Sequence, residues 1–322
     1  MLVMSRARGI LASYPELAAV LAAAITGLSA PRPLAWLAGR QGISVLLAVL
    51  VFATAVSIDP AALGRLASAW RSLLTALVTG ITVLPALSWA VSRMVAAGSL
   101  RDGVMAVGLA PCEIASVATT AMAGGEAAVS AGMLIGSTVA AVAFAGPILT
   151  LEAGHAGVSP GAIIASLALV VALPLAVGIA LRAWVPPAAR VLATERSERY
   201  AAGVALFSVA ALVALIAAEV HLSASYAAVT GALVVFLAGS AVVGRVLGAR
   251  SKPGAATALL LTTSMRDFAI AAGLATSAFG APAAAPLGLY GILVLVWGTA
   301  VAGILRQRTA VMARSSQAER GR

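Results

Sequence analysis

The stretch Thr262-Thr263-Ser264-Met265-Arg266-Asp267 lies inside a run from Ala256 to Phe279 that is otherwise apolar or built of small residues. An arginine beside an aspartate is costly at bilayer depth unless both face a bundle interior or a wet cavity. The neighbouring Ser and Thr residues weaken the helix and add polar groups. We therefore predict a helix interrupted within the membrane, a geometry that secondary transporters use for binding. A buried ion pair that only joins two helices is the structural alternative.

The composition is that of an all-α polytopic membrane protein. Of 322 residues, 61% are hydrophobic and 10% are charged, whereas a soluble domain has roughly 25% charged residues. The mean hydropathy is +1.05, and the apolar runs have the length of membrane helices rather than of barrel strands. The net charge of +10 is spread over loops and tail, which predicts contact with membrane lipid and no nucleic-acid partner.

Hydropathy predicts about ten transmembrane helices joined mostly by short loops. The candidate spans cover residues 16–30, 43–58, 70–91, 103–122, 127–150, 161–184, 200–219, 225–247, 256–279 and 285–305.

The basic residues predict the orientation. With the termini inside, the inner segments carry most of the 21 Lys and Arg residues, and the outer loops carry only Arg32, Arg40, Arg93 and Arg101. By the positive-inside rule, the protein is a multi-pass protein of the cell (inner) membrane with both termini in the cytoplasm.

A single transporter unit, 1–322, is predicted to divide into two inverted five-helix repeats, 16–150 and 161–305, followed by a basic cytoplasmic tail, 306–322, expected to be disordered. The fourth and ninth spans then correspond. The fourth contains Pro111 and Glu113, and the ninth contains the opening stretch. Two interrupted spans in matching positions are the best sequence pointer to a binding site.

The buried charges are Glu113, Arg266 and Asp267. Glu113 could load and release a proton during transport, or it could remain paired with Arg266. Arg266 could bind an anionic substrate through its guanidinium fork, or both acids could engage it fully. Hydroxyl groups cluster around both breaks. They could be ligands for an ion or a substrate, or they could serve helix packing. They belong to Ser116, Thr119, Thr120, Ser130, Thr262, Thr263 and Ser264.

Motifs of hydrolases, zinc proteases and nucleotide-binding loops are missing from the sequence, so we predict neither an enzyme nor a cofactor. The only cysteine, Cys112, could be a soft metal or metalloid ligand or a small buried apolar residue.

Two motifs resemble the bile acid:sodium symporter (BASS/SBF) family. The segment from Pro111 to Ser130 resembles the fourth-span motif and the turn that follows it, and Thr262–Asp267 resembles the ninth-span motif of E-x-G-M-Q-N type. The resemblance implies a panel and a core domain, with helices 4 and 9 crossing at their unwound centres. It also implies secondary transport of an organic anion, bile-acid-like or a small carboxylate.

The chain departs from the family at most sodium ligands. Ser116 and Ser130 keep their hydroxyls, whereas the other ligand positions fall on Gly80, Val117, Leu134, Thr262 and Arg266. We therefore expect that sodium is not the coupling ion, that Arg266 replaces a cation, and that proton coupling is available. An arsenite-type efflux carrier and a non-transporting membrane receptor are the alternatives. The sequence leaves the substrate, the transport direction and the oligomeric state open.

Overall fold

The computed structural model describes residues 15–37, 41–57, 70–153, 159–184, 194–218 and 225–320. Within these ranges the regular elements are helices, joined at one point by an isolated two-residue β-bridge. In chain order the helices are α1 (Pro15–Ser29), α2 (Pro31–Leu37), α3 (Ile43–Ala55), α4 (Trp70–Ser92), α5 (Ser99–Ala106), α6 (Ser116–Met122), α7 (Ala127–Ala153), α8 (Pro160–Leu167), α9 (Leu173–Trp184), α10 (Glu195–Ala217), α11 (Ser225–Gly248), α12 (Pro253–Ser264), α13 (Phe268–Phe279) and α14 (Ala285–Arg320).

Eight of the predicted spans are helical over most of their described residues, and the fourth and ninth are broken where the sequence predicts. The fourth is divided into α5 and α6 by residues 107–115, which open with a short 3-10 turn. The ninth is divided into α12 and α13 by residues 265–267. Six helical segments in the described ranges are long and apolar enough to cross a membrane: Leu73–Ser92, Ala127–Glu152, Pro160–Trp184, Arg199–Ala217, Ser225–Gly248 and Ala281–Gln307.

The expected disorder after Arg306 is wrong for residues 306–320, because α14 continues to Arg320. This segment contains no Gly or Pro before Gly321 and is rich in Ala, Arg and Gln, which are good helix formers. Its polarity indicates that it leaves the membrane, but polarity alone does not end a helix.

Large apolar side chains cover much of the molecular surface. Leu151 is 83% exposed, Phe207 69% and Val246 68%. In water such a surface would be unfavourable, since exposed apolar area costs roughly 25 cal/mol per Å². In lipid these side chains face acyl chains instead, so the surface agrees with a multi-pass membrane protein.

The helices pack in two groups. In the first, which we name the α10 group, α10 packs against α1 and α3, and α3 packs against α9. In the second, the crossing group, α4 packs against α7 and α11, α11 packs against α12, and α6 packs against α7. Both breaks belong to the crossing group, so its helices position the buried charges.

Candidate functional site

The two breaks pair with each other through their backbones. Glu113 N donates to the carbonyl oxygen of Met265 at 2.7 Å, and Asp267 N donates to that of Pro111 at 2.9 Å. Cys112 and Arg266 therefore face each other in an antiparallel bridge. A broken helix leaves backbone donors and acceptors that lipid cannot satisfy. Each break thus supplies the hydrogen-bond partners that the other needs.

Both acids lie at the first turn of α13. Asp267 is the N-cap residue, and its Oδ1 accepts from Ile270 N at 2.8 Å. Glu113 reaches across the crossing, and its Oε2 accepts from Phe268 N at 3.4 Å. Carboxylates are favourable here because the free N–H groups and the helix dipole give a helix N-terminus partial positive charge.

Arg266 is 3% exposed, yet it forms no ion pair with Glu113 or Asp267. One of its terminal nitrogens, Nη2, donates to the carbonyl oxygen of Ala110, whereas its Nε has no hydrogen-bond partner among the described residues. The guanidinium points towards α4 and α7, and Glu113 points towards α13. The sequence-based alternative of a permanent Glu113–Arg266 pair is therefore not what the structure forms.

The predicted hydroxyl groups divide into three sets. Those of Thr119, Thr262 and Ser264 donate to carbonyl oxygens of their own helices or the adjoining turn, at 2.7 to 2.8 Å. Thr120 and Ser130 join α6 to α7, with 2.9 Å between their oxygens. By contrast, Ser116 Oγ and Thr263 Oγ1 are buried without a partner among the described residues.

Three polar side chains that the sequence did not single out support the breaks. The hydroxyl of Tyr290 accepts from Arg266 N at 3.3 Å and donates to Ser264 O at 3.4 Å. Trp297 Nε1 donates to Ser264 Oγ at 3.0 Å. Ser137 Oγ accepts from Cys112 N at 3.1 Å and donates to its Sγ at 3.3 Å. The seven-residue spacing of Tyr290 and Trp297 on one helix face is a signal that could have identified them.

A cavity of about 520 Å³ lies between the two helix groups. The α10 group contributes α3 and α10, and the crossing group contributes the first break, α6, and the start of α7. Its walls consist mainly of Ala, Leu and Val, with polar groups from Thr54, Ser57 and Glu113. Among the described lining residues Glu113 alone is ionisable, and Arg266 does not line this cavity.

Metal-binding groups are missing from the described residues, which hold no cluster of three or more His, Cys, Asp and Glu side chains. Cys112 is fully buried against Ser137 and does not line the large cavity. Its thiol is packed in the protein interior, where it accepts a hydrogen bond from Ser137.

Two broken helices that pair beside a large cavity, in a molecule with an apolar surface, define a membrane transporter. The sequence model of the Sodium Bile acid symporter family matches residues 44–230 of the chain. The chain therefore belongs to this family, whose members are transporters and not enzymes. A comparison with curated proteins finds no match to the chain.

Proposed function

We propose that the protein is a secondary active transporter of an amphipathic organic anion, bile-acid-like or a small carboxylate. The observation that supports it most is the 520 Å³ cavity, largely apolar, between two helix groups. A site between two bodies of helices can be exposed to one side and then to the other as these bodies rock. Apolar walls suit the hydrophobic part of an amphipathic molecule.

The proposed architecture is ten transmembrane helices in two inverted repeats, with helices 4 and 9 broken and both termini in the cytoplasm. The cavity wall is formed by the end of α3 and the beginnings of α7 and α10. According to the distribution of Lys and Arg residues, these helix ends adjoin the segments expected in the cytoplasm. In this orientation the cavity opens towards the cytoplasm of the cell.

Family membership by itself suggests sodium coupling, and we propose that this chain has lost it. Of the expected ligand positions, Gly80, Val117 and Leu134 carry no side-chain oxygen. Thr262 offers a neutral hydroxyl, bonded to the carbonyl oxygen of Ala258 at 2.7 Å, where the family resemblance implies a carboxylate. Arg266 brings a fixed positive charge to the crossing, where a cation would be repelled.

We propose that a proton on Glu113 replaces sodium as the coupling ion. An organic anion in the cavity would meet Glu113 as its one ionisable neighbour among the described residues. Two like charges about 4 Å apart repel by about 4 kcal/mol at an effective dielectric constant of about 20. That repulsion weakens binding by roughly three orders of magnitude. The anion therefore binds when Glu113 is protonated, and both are carried together.

Uptake into proteoliposomes tests the coupling. Taurocholate is a suitable probe because its sulfonate remains ionised at acidic pH, so a pH effect reports on the protein. We expect an inward proton gradient to drive accumulation, whereas a sodium gradient has no effect. Glu113→Gln should abolish accumulation and leave pH-independent equilibration, because a neutral amide neither repels the anion nor carries a proton.

The matched control is Glu126→Gln, which removes an exposed carboxylate at the turn between α6 and α7 and should behave as wild type. Accumulation driven by sodium, or proton-driven accumulation that survives Glu113→Gln, contradicts the proposal.

Glu113 also favours a second candidate, transport of an amphipathic organic cation in exchange for protons. A carboxylate alone in an apolar cavity attracts a cation more simply than an anion. Tetraphenylphosphonium distinguishes the two. If it raises the thermal stability of the wild type but not of Glu113→Gln, and taurocholate binds at no pH, the cation transporter replaces our first proposal.

The arsenite-type alternative has little support, because the thiol of Cys112 is buried away from the cavity. Arsenite resistance that survives Cys112→Ala would remove it. A non-transporting receptor on the same fold predicts ligand binding without flux, so the uptake assay separates it from a transporter.

A further inference from the structure

A second, much smaller cavity lies between α4 and α7 and shares no lining residue with the large one. Its volume is about 10 Å³, which is near the minimum of about 10–15 Å³ that holds one water-sized species. Apolar and small side chains of both helices form most of its wall. The polar groups on that wall are the guanidinium of Arg266 and the hydroxyl of Ser137.

The guanidinium of Arg266, on this wall, has N–H donors that lack acceptors. A guanidinium carries five N–H donors, and in the described part of the chain Arg266 has one side-chain acceptor, the carbonyl oxygen of Ala110. Its Nε is buried without a partner. Its Nη1 faces Gly80, where an added Cβ would lie 3.9 Å from this nitrogen and meet nothing else within 4 Å. At least Nη1 therefore faces the space beside α4.

We propose that this cavity binds one small monovalent anion of the halide class against Arg266. A buried positive charge with unused donors is unfavourable until a counter-charge or acceptor satisfies it, and neither Glu113 nor Asp267 pairs with it. In so small a space a monoatomic halide fits better than carboxylates, phosphates and sulfate, which have several heavy atoms. Ser137 stands on the same wall, and its hydroxyl could donate to the ion in exchange for its bond to Cys112 Sγ.

This site lies at two of the former sodium-ligand positions that the resemblance implies, Gly80 and Arg266, and is separate from the proposed substrate cavity. Its anion would lie on the opposite side of the crossing from the substrate, because Arg266 lines the small cavity and Glu113 lines the large one. Binding can therefore be measured on purified protein with no substrate or gradient. If chloride does not bind, the transport proposal is unaffected. If transport is not found, the proposed anion site is unaffected.

The first experiment compares chloride with gluconate at constant ionic strength. A ligand that binds only the folded state raises the apparent Tm in a saturable way. We expect chloride and bromide to raise the Tm of the wild type, and sulfate and acetate to have no effect because they are too large. Arg266→Gln should lose the chloride effect. The matched control Arg71→Gln, an exposed arginine on α4, should keep it.

A second pair of variants covers the case in which Arg266→Gln does not fold. Gly80→Asp would place a carboxylate beside Nη1 of Arg266 and so supply the counter-charge covalently. We expect it to keep a high Tm that no longer responds to chloride. Gly80→Ala adds only a Cβ, 3.9 Å from Nη1 and without charge or acceptor, and should still respond. A wild-type Tm equal in chloride and gluconate, or a chloride response retained by Gly80→Asp, overturns the proposal and leaves water as the occupant.

Discussion

Asp267 and Glu113 lie at the same helix start but have different roles. Asp267 caps α13 through its Oδ1, whereas Glu113 bonds weakly to Phe268 N and lines the large cavity. Stability should therefore depend mostly on Asp267, and proton coupling on Glu113. This division explains why two acids can be retained beside each other in an apolar environment.

The cap predicts the effect of changing Asp267. Asp267→Ala removes the acceptor for Ile270 N and should destabilise the protein by at least about 1 kcal/mol, the usual value of an N-cap. Asp267→Asn keeps an acceptor for Ile270 N and should therefore lose much less stability. The measurement is denaturant unfolding in detergent.

Ser159→Ala is the control, because Ser159 caps the exposed start of α8 through a bond of 3.4 Å to Ala162 N. Because water can replace that cap, Ser159→Ala should lower the free energy of unfolding by less than Asp267→Ala. Equal destabilisation by Asp267→Asn and Asp267→Ala would show that the charge matters and the cap does not.

At this scale the sequence predicted which residues are buried charges but not their partners. Their depth follows from the apolar runs around them, which can be read directly from the chain. Their directions follow from irregular backbone, where the helical rule that relates spacing to a shared face no longer applies. For this reason the sequence left open whether Glu113 and Arg266 are in contact, which they are not, and Tyr290 was not anticipated.

Among the helices, the first broken span approaches α4 very closely. Ser88 on α4 donates to the carbonyl oxygen of Met105 at 2.9 Å. A Cβ added at Gly108 would lie 2.2 Å from Ser88 Oγ and 2.4 Å from the carbonyl oxygen of Leu84. The lack of a side chain at Gly108 is what allows this contact.

Gly108→Ala should therefore be destabilising, by about 1–3 kcal/mol or more, because backbone atoms of α4 must shift. Gly203→Ala on α10 is the control, since a Cβ there meets nothing within 4 Å. It should be neutral or stabilising by up to about 1 kcal/mol. Unfolding that shows no difference between the two variants would contradict this packing.

Helix positions were predictable because a bilayer requires long apolar runs and makes a broken one conspicuous. Two features of the helices were not predictable from the sequence. Residues 168–172 form a π-helical turn just before Leu173 and Pro174, where proline removes a backbone donor. The polar extension of α14 was missed because hydropathy reports the end of the membrane, and a helix can continue beyond it.

At the scale of the whole molecule, α8 leads into α9 of the α10 group within one continuous span and also packs against α7 of the crossing group. A polar contact joins Ser166 on α8 to Ser277 on α13, with 3.4 Å between their oxygens. If transport requires the α10 group, with the adjoining α8, to move relative to the crossing group, a covalent link here should stop it.

Ser166→Cys combined with Ser277→Cys should thus form a disulfide under oxidation and block uptake, and a reductant should restore it. The two hydroxyl oxygens are 3.4 Å apart, so cysteine sulfurs at these positions need to approach by little more than 1 Å to reach the disulfide bond length of about 2.05 Å. The single variants are the controls, and native Cys112 is buried and does not interfere. Full uptake by the crosslinked protein would exclude movement at this contact.

The cavity itself could not be predicted from the sequence. Its walls come from α3, α6, α7 and α10, and their arrangement depends on packing between segments far apart in the chain. Small residues such as Ala201 and Ala205 gave no signal, because alanine lines cavities, helix contacts and lipid surfaces alike.

The pairing of the two breaks also bears on how the protein is made. The backbone groups at Pro111 and Glu113 find their partners at Asp267 and Met265, in a segment that is synthesised much later. Until that segment enters the membrane, the first break lacks these partners, and lipid offers none. Insertion of the early helices into the membrane therefore does not complete their folding. A nascent chain truncated before α12 would expose to lipid the polar defect by which quality control could recognise it.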